Sequence, residues 1–307
     1  MWLLMAFLSA ALLGFYDVFK KKALVDNAVL PVLFLNTLIC SLLFLPLILL
    51  SWQTDWLDNT ILYVSVCDWS CHKYILLKSI IVLLSWLFGY FAMKNLPITI
   101  VGPVNATRPV LVLIGAMIVF GEKLNIYQWI GVLIAIVSFV LLNKSSKKEG
   151  YDFRHNCWIY FLIIAALFGA VSGLYDKYLM ASVLAGGIGL SRMVVQSWYN
   201  LYQCVMMGVM LMIMWYPSRR QTGKRFQWRW SIIFISLFLT MADFVYFYSL
   251  SLPDAMISVV SMVRRGSVVV SFIFGAMVFH EKNLKNKTID LILVIISMLF
   301  LYFGSIS

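Results

Sequence analysis

Residues 29–50 read VLPVLFLNTLICSLLFLPLILL, an apolar stretch without a single charged side chain. An α-helix rises about 1.5 Å per residue and the hydrocarbon core of a bilayer is about 30 Å thick, so about twenty such residues cross a membrane. The rest of the chain is similar, because 63% of its 307 residues are hydrophobic and only 12% are charged. A soluble domain carries about 25% charged residues. The composition therefore predicts an integral membrane protein.

Apolar stretches of this length recur along the whole chain. They fall at roughly 1–20, 29–50, 74–93, 98–119, 126–142, 157–179, 190–215, 230–250, 254–279 and 288–305. A polar segment, residues 143–156, separates the first five from the last five. We therefore predict an all-α integral membrane fold with ten transmembrane helices, in which residues 1–142 and 157–307 form two five-helix halves joined by a linker.

The two halves share short patterns at a nearly constant spacing. Residues 14–17 read GFYD, and the pattern recurs in the second half as GLYD at residues 173–176. A second set, at a slightly shorter spacing, comprises Phe88, Tyr90, Leu96 and Pro97 with their counterparts Phe244, Tyr246, Leu252 and Pro253. An ordered series of matches of this kind indicates an internal duplication.

Five helices per half require the second half to enter the membrane upside down relative to the first. Inverted repeats of this kind are typical of secondary transporters, with the binding site near the midplane between the repeats. Sixteen lysines and arginines fall on the side of the loops after helices 1, 3, 5, 7 and 9, and about five on the other side. The positive-inside rule then predicts a cytoplasmic linker (residues 143–156) and both termini outside.

Three segments around the fourth and fifth predicted helices form a recognisable series. They read ATRP at residues 106–109, FGEKL at 120–124 and QWIG at 128–131. This series resembles the EamA-type repeat of the drug/metabolite transporter superfamily, which has a proline in the fourth helix, a Gly-Glu turn and a Gln-Trp-x-Gly entry into the fifth. The second half matches more loosely, since HEK at residues 280–282 stands for the turn and neither Pro109 nor Trp129 has a counterpart.

The resemblance implies ten helices in two inverted halves, with a small molecule moved through a central cavity by alternating access. It also implies that transport is driven by protons or by exchange. The superfamily's substrates range over amino acids, nucleobases, sugars, nucleotide sugars and drugs. Many members are thought to keep their termini in the cytoplasm, whereas the charge count of this chain predicts the reverse.

Charged residues inside the apolar spans are the first candidates for function, because a charge at the bilayer centre costs at least about 2.5–3.5 kcal/mol. Arg108 lies near the middle of the fourth span, and Arg264 and Arg265 near the middle of the ninth. Arg108 and Arg264 share the spacing of the second set of matches, although an insertion in the ninth helix would put them out of register. Two midplane guanidinium groups suit a carboxylate or phosphate of a substrate. The alternative is that they pair with Asp243 or helix carbonyls and hold the bundle together.

The carboxylates have two interpretations as well. Asp243, well inside the eighth span, either carries a coupling proton or is the fixed counter-ion of Arg264 or Arg265. Asp17 and Asp176 are gating candidates, because inversion puts them at opposite mouths of the pathway. Alternatively, Asp17 pairs with Lys21 one turn on, and Asp176 simply extends to the interface.

Uncharged candidates are less specific. Trp86, Tyr90 and Tyr246 could line an aromatic cavity, or they could face lipid. The amide side chains, which could bind substrate or neighbouring helices, are Asn36, Gln196, Asn200 and Gln203. Glu122 and Glu281 begin short turns beside lysines and are interpreted as structural. Cys67, Cys71 and His72 resemble a metal site only faintly, since a second pair of ligands is missing, so a disulfide or no role is the alternative.

Other function classes fit the sequence less well. The three histidines lie in or beside loops, and neither a glycine-rich phosphate loop nor an acidic metal motif is present, so we do not expect an enzyme, a metal or a cofactor. The basic residues follow the membrane pattern, which argues against a nucleic-acid partner. The expected partners are a small-molecule substrate, lipids and a candidate coupling proton, with the chain a monomer or homodimer. A membrane scaffold or insertion protein that does not transport is the alternative function.

Overall fold

The computed structural model describes residues 2–58, 60–120, 125–147, 155–180, 183, 186–218, 226–251, 260, 263–279 and 284–306. Within these ranges the chain forms helices and connections, without a strand. The helices are α1 Trp2–Leu24, α2 Val29–Gln53, α3 Trp69–Asn95, α4 Ile98–Ala106, α5 Arg108–Phe120, α6 Ile126–Lys147, α7 Cys157–Met180, α8 Arg192–Met210, α9 Ser231–Ser251, α10 Ser267–Phe279 and α11 Leu284–Ile306. Because α4 and α5 share one predicted span, these helices occupy ten spans, so the predicted helix count is confirmed over the described residues.

Several of these helices can cross a bilayer by length and composition alone. Within the described residues they are Leu3–Leu24, Val29–Gln53, Trp69–Asn95, Cys157–Met180 and Ser231–Ser249. Three further apolar helices, Ile98–Val112, Ile126–Ser138 and Leu291–Gly304, are shorter. The chain is therefore an integral, multi-pass, all-helical membrane protein, as the composition predicts.

The fourth predicted span is interrupted at Thr107, between α4 and α5. The Thr107 amide donates to the Val104 carbonyl, three residues back, at 3.2 Å, and the Thr107 hydroxyl donates to the same oxygen at 2.7 Å. Pro109 explains the break, because it has no N–H to offer the Asn105 carbonyl and its ring crowds that turn. The apolar span predicted over residues 98–119 is therefore two helices rather than one.

The ninth predicted span has a matching interruption at Gly266, just before α10. The Gly266 amide donates to the Val263 carbonyl at 2.9 Å, and the Val269 amide donates to the Gly266 carbonyl at 3.0 Å. Thr107 makes the same two bonds with residues three before and three after it. The spacing between the two breaks equals the spacing between the GFYD and GLYD segments.

The main helix contacts join the first half of the chain to the second. Helix α1 packs along α9 and α10, α7 along α3 and α5, α2 against α8, and α6 against α11. Gly14 allows one close approach, because a Cβ there would come within 2.5 Å of the Val270 Cβ and 2.9 Å of the Ser267 carbonyl oxygen. Small residues commonly let helices meet this closely in lipid. The largest apolar cluster, which draws residues from α1, α2, α3, α4, α7 and α9, consequently lies between the halves.

Basic side chains gather at one end of the bundle. The Lys94 ammonium donates to the Asn27 carbonyl, and the Asn27 side-chain amide donates to the Gln227 carbonyl at 2.8 Å. Arg229 donates to the Lys22 carbonyl at 2.9 Å. The connections that follow α1, follow α3 and precede α9 therefore meet at the same end.

Candidate functional site

The carboxylate of Asp243 lies on α9 inside the bundle, where the residue is 8% exposed. One of its oxygens forms an ion pair with Nη2 of Arg264. The other accepts a hydrogen bond from the hydroxyl of Tyr199, on α8, at 3.0 Å. Both oxygens are thus engaged, so Asp243 is the counter-ion of Arg264 and links α8, α9 and the segment before α10. Of the sequence's two arginine options, the structure selects Arg264.

An aromatic ring supports Arg264 from a second direction. The guanidinium carbon lies 4.2 Å from the centre of the Tyr246 ring, well within the range of a cation–π contact. The Nε atom of Arg264 has no hydrogen-bond partner among the described residues. Tyr246 therefore contacts a cation of the site rather than lipid alone.

Arg108 is the first residue of α5, directly after the break at Thr107, and its side chain reaches α7. A Cβ added to Gly169 of α7 would lie 2.7 Å from both Cζ and Nη1 of Arg108. The glycine therefore makes room for the guanidinium group. The Nε atom of Arg108 lacks a hydrogen-bond partner among the described residues. This arginine keeps donor capacity for a further group.

Arg265 extends the charged region. It interacts electrostatically with Arg108, Arg264 and Asp17, and Asp17 in turn interacts with Lys20. We call this group the central cluster; its members are Lys20, Arg108, Arg264, Arg265, Asp17 and Asp243. Four basic groups face two carboxylates, so the cluster carries an excess of two positive charges.

Lys20 differs from the sequence interpretation, which counted it in a cytoplasmic loop. Helix α1 continues to Leu24, and Lys20 is only 7% exposed. Its ammonium lies 4.4 Å from the centre of the Tyr90 ring and 5.1 Å from that of Tyr16. Tyr90 and Tyr246, which are repeat counterparts in the sequence, therefore each contact a buried or partly buried cation.

The sequence offers Lys21 as a partner of Asp17, one helical turn away. Lys21 instead donates to the backbone carbonyls of Met93, at 2.7 Å, and Leu96, so it binds the end of α3. The field of Lys20, Arg108 and Arg265 acts on Asp17 instead. Asp17 therefore belongs to the central cluster.

Asp176 lies in an ion pair with Lys78, which joins α7 to α3. The Lys78 residue is 3% exposed, so the interpretation of Asp176 as a side chain that merely extends to the interface is wrong. The Lys78 ammonium also lies 5.1 Å from the centre of the Tyr199 ring. Tyr199 in turn donates to Asp243, so aromatic and hydrogen-bond contacts connect the Lys78–Asp176 pair to the central cluster.

The remaining candidates have different surroundings. Trp86 is partly buried against the main apolar cluster, as expected of a packing residue. Gln196 is 1% exposed, yet neither its amide oxygen nor its nitrogen has a partner among the described residues. The structure thus leaves its hydrogen-bonding capacity available.

Arg108 and Arg264 are not equivalent positions of the two halves. The breaks at Thr107 and Gly266 set the local spacing, which aligns Arg108 with Ser267 rather than with Arg264. The ninth helix therefore contains the insertion that puts Arg108 and Arg264 out of register. The two arginines nevertheless act on each other electrostatically, because they approach the centre from different helices.

The cysteine–histidine segment holds free thiols. Cys67 and Cys71 are free, and burial, with a contribution from Cys71, raises the pKa of the Cys67 thiol to about 12. His72 instead shares a hydrogen bond of 2.9 Å with the Tyr202 hydroxyl. Over the part of the chain that the structure describes, no group of three or more His, Cys, Asp or Glu residues could hold a metal. Glu122 and Glu281 lie outside the described residues.

Lys78, Lys20 and Tyr199 contact the candidate residues, and the sequence interpretation missed all three. A signal exists for the lysines, because each lies within or at the end of an apolar stretch, where an uncompensated ammonium is costly. For Tyr199 the sequence gives no such signal among 15 tyrosines.

The fold is similar to that of solved proteins. One crystal structure of a protein matches over 97% of this chain and 95% of its own, with a TM-score of 0.62 and 14% sequence identity. At this identity the likeness concerns the fold alone. A comparison with curated proteins gives no match.

The first half of the sequence matches the model of a known family. The model of the EamA-like transporter family matches residues 1–144, which contain α1 to α5 and most of α6. The resemblance inferred from residues 106–131 is thereby confirmed. Residues 1–144 are therefore similar to the EamA-like transporter family, which is part of the drug/metabolite transporter superfamily.

Proposed function

We propose that this protein is a secondary transporter that moves a small organic anion, or a zwitterion with an anionic group, across the cytoplasmic membrane. Similarity to a family of membrane transporters supports the general function. The observation that carries the choice of substrate is the charge of the central cluster, where four basic groups face two carboxylates. Excess positive charge in a low-dielectric region is stabilised by an anion.

Two features favour Arg108 as the residue that meets the substrate. The Nε atoms of Arg108 and Arg264 both lack a described partner, but Arg264 already forms an ion pair with Asp243. Arg108 also begins α5, and Ser267 begins α10, so two helix N-termini lie next to arginines of the cluster. A helix N-terminus carries partial positive charge, and interrupted helices of this kind bind anionic substrate groups in other transporters.

We propose an inverted-repeat architecture made of residues 1–142 and 157–307, with residues 143–156 as the linker. Equivalent helix contacts in the two halves support it. Helix α1 packs on α9 in the same way as α7 packs on α3, and α1 packs on α10 in the same way as α7 packs on α5. The breaks at Thr107 and Gly266, with identical hydrogen-bond patterns, support it as well. In such folds the two repeats rock around a fixed site and expose it alternately.

The Lys78–Asp176 pair is proposed as the outer gate of the pathway. It closes α3 against α7, and the positive-inside rule places this end outside. Asp17, in the central cluster, takes the corresponding role toward the cytoplasm. For substrate to pass, the Lys78–Asp176 pair must separate and α3 and α7 must move apart.

Asp243 is proposed as the coupling residue. A substrate anion that binds Arg264 competes with Asp243, and the carboxylate released from this ion pair is the group proposed to carry the coupling proton. Substrate and proton would then move together. Transport that ignores an imposed pH gradient would remove this role and leave exchange as the driving force.

The proposed orientation has a cytoplasmic linker and both termini outside. The gathering of Lys94 and Arg229 at one end supports a strongly basic face, which the positive-inside rule assigns to the cytoplasm. A reporter fused after Ser307 that is active only in the cytoplasm would overturn this orientation.

Untargeted metabolite profiling of cells with and without the protein tests the proposed function. We expect a small set of anionic or zwitterionic metabolites to change, and the change to disappear in Arg108→Ala. A changed set without any anionic group would refute the choice of substrate class. An unchanged profile would favour a scaffold that does not transport.

A further inference from the structure

Two glutamines on α8 are buried without hydrogen-bond partners. Gln196 is 1% exposed and Gln203 is fully buried. Neither the oxygen nor the nitrogen of either amide has a partner among the described residues. A buried polar group left without a partner is unfavourable, and such groups are rare in native proteins. These amides therefore require a further group to bind.

The neighbouring amide of Asn200 provides an internal contrast. Asn200 is also buried, but its Nδ2 atom donates to the backbone carbonyl of Gln196 at 2.8 Å. This is the ordinary way for a polar side chain in a membrane helix to bind within its own helix. The side-chain amides of Gln196 and Gln203 do not bind within their own helix in this way.

The two glutamines lie on the same face of α8 as Tyr199. Positions 196, 199 and 203 are separated by three and four residues, so they lie on one side of an α-helix. Gln196 and Gln203 are offset from Tyr199 by about 4.5 and 6 Å along the helix axis. Because Tyr199 donates to Asp243, this face is the one directed toward the central cluster.

Asn36 of α2 continues the polar region from the facing helix. It is fully buried; its oxygen accepts a hydrogen bond from Ser236 at 3.0 Å, while its nitrogen has no partner among the described residues. Helices α2 and α8 pack against each other. Both helices therefore supply donors without described partners, and α8 also supplies two acceptors.

We propose that Gln196 and Gln203 form a second part of the binding site, which hydrogen-bonds the uncharged polar groups of the substrate. An amide both donates and accepts, as does a hydroxyl group or another amide. The substrate class is accordingly an organic anion that carries hydroxyl or amide groups. This inference rests on the proposed function, since the anionic group is bound by the arginines of the central cluster.

A purely structural role predicts the opposite behaviour for one substitution. Leucine has nearly the volume of glutamine and needs no hydrogen bond. If the glutamines only fill space, Gln203→Leu leaves ligand binding unchanged and raises the melting temperature, because it removes an unmet polar group. If they bind substrate, the variant is likewise stable without ligand but loses its selectivity for hydroxyl- or amide-bearing ligands, so ligand binding separates the two roles.

Succinate and tartrate are suitable probes, because both are four-carbon dicarboxylates and only tartrate carries two hydroxyl groups. Binding is measured by the thermal shift of the purified full-length protein. We expect tartrate to bind the wild type about tenfold more tightly than succinate, and Gln196→Leu and Gln203→Leu each to remove that difference. Arg108→Gln should weaken both. Gln128→Leu is the matched control: Gln128 on α6 accepts from the Asn125 amide at 3.0 Å, so the variant should melt lower and keep the selectivity.

The outcomes separate the two proposals. Glutamine variants that retain the preference for tartrate overturn the inference and leave the proposed function standing. If neither dicarboxylate binds the wild type, the comparison moves to the metabolites that change in cells expressing it. Loss of all of them in Arg108→Gln supports the proposed function, and selective loss of the hydroxylated or amide-bearing ones in Gln203→Leu supports the inference. Metabolites that Gln203→Leu leaves untouched overturn the inference, and metabolites without an anionic group overturn the proposed function.

Discussion

The guanidinium group of Arg108 lies so close to Gly169 that a Cβ on that residue would come within 2.7 Å of its Cζ atom. A contact this short is not tolerated, so any side chain on α7 at this point must displace the arginine. Gly173, one turn further along α7, has ordinary space, with Val112 Cγ2 the nearest atom at 3.8 Å. The two glycines of one helix face therefore have different roles.

Gly169→Ala should reduce substrate affinity by about tenfold or more, which corresponds to about 1.4 kcal/mol of lost binding. The physical reason is the displacement of Arg108 from its position. Gly173→Ala is the matched control and should behave as wild type. Equal transport by both variants would show that the position of the Arg108 guanidinium is unimportant.

Asp243→Asn should destabilise the protein, because it leaves the partly buried Arg264 without its counter-ion. Breaking a buried ion pair in this way costs about 3–5 kcal/mol in soluble proteins. The double variant Asp243→Asn/Arg264→Gln should recover much of this loss. The free energy of unfolding in mixed detergent micelles measures this loss, and Asp55→Asn, at an exposed position, is the control. If the single variant is as stable as the control, the ion pair does not stabilise the bundle.

Lys78→Cys and Asp176→Cys, introduced together in a protein without its own cysteines, test the outer gate. A bifunctional thiol reagent that links the two positions holds α3 against α7, so transport should stop and return on reduction. Each single-cysteine variant treated alike is the control. Undiminished transport by the linked protein would mean that these helices need not separate.

The sequence predicts the spans of this fold well, because the bilayer selects residues by hydrophobicity alone and each stretch can be judged by itself. Tertiary pairing is different. Lys78 and Asp176 are far apart in the chain, and no local pattern shows that α3 meets α7. Which arginine pairs with Asp243 depends on the rotation of residues 263–265 about their helix axis, set by the break at Gly266.

Which residues of the two halves correspond to each other can also be decided only with the structure. The sequence matches at the GFYD segment and at Phe88 give two different spacings between the halves. The helix breaks at Thr107 and Gly266 have the same hydrogen-bond pattern, so they are equivalent positions of the two halves. Near the arginines, the halves therefore align with the spacing of the GFYD and GLYD segments. From the sequence alone, without the positions of these breaks, Arg108 and Arg264 look like equivalent residues.

The Cys67 thiol should react slowly with maleimide at neutral pH. Its pKa is raised to about 12, chiefly by burial, so the reactive thiolate is only roughly one part in ten thousand at pH 8. Because the pKa is raised, the rate should climb about tenfold for each pH unit up to that value. Labelling of Cys67 in the wild-type protein, which keeps the neighbouring Cys71, is followed by mass spectrometry from pH 7 to pH 10. The exposed Cys157 of the same protein is the control. Equal rates at pH 7 would contradict the burial of Cys67.

The most direct test of the central claim is counterflow in liposomes that contain the purified protein, with labelled carboxylates, amino acids, nucleotide sugars and nucleobases as probes. We predict that labelled substrates with an anionic group accumulate and that Arg108→Ala abolishes the accumulation, while Gly173→Ala accumulates them at the wild-type rate. Accumulation by Arg108→Ala at the wild-type rate would contradict the account.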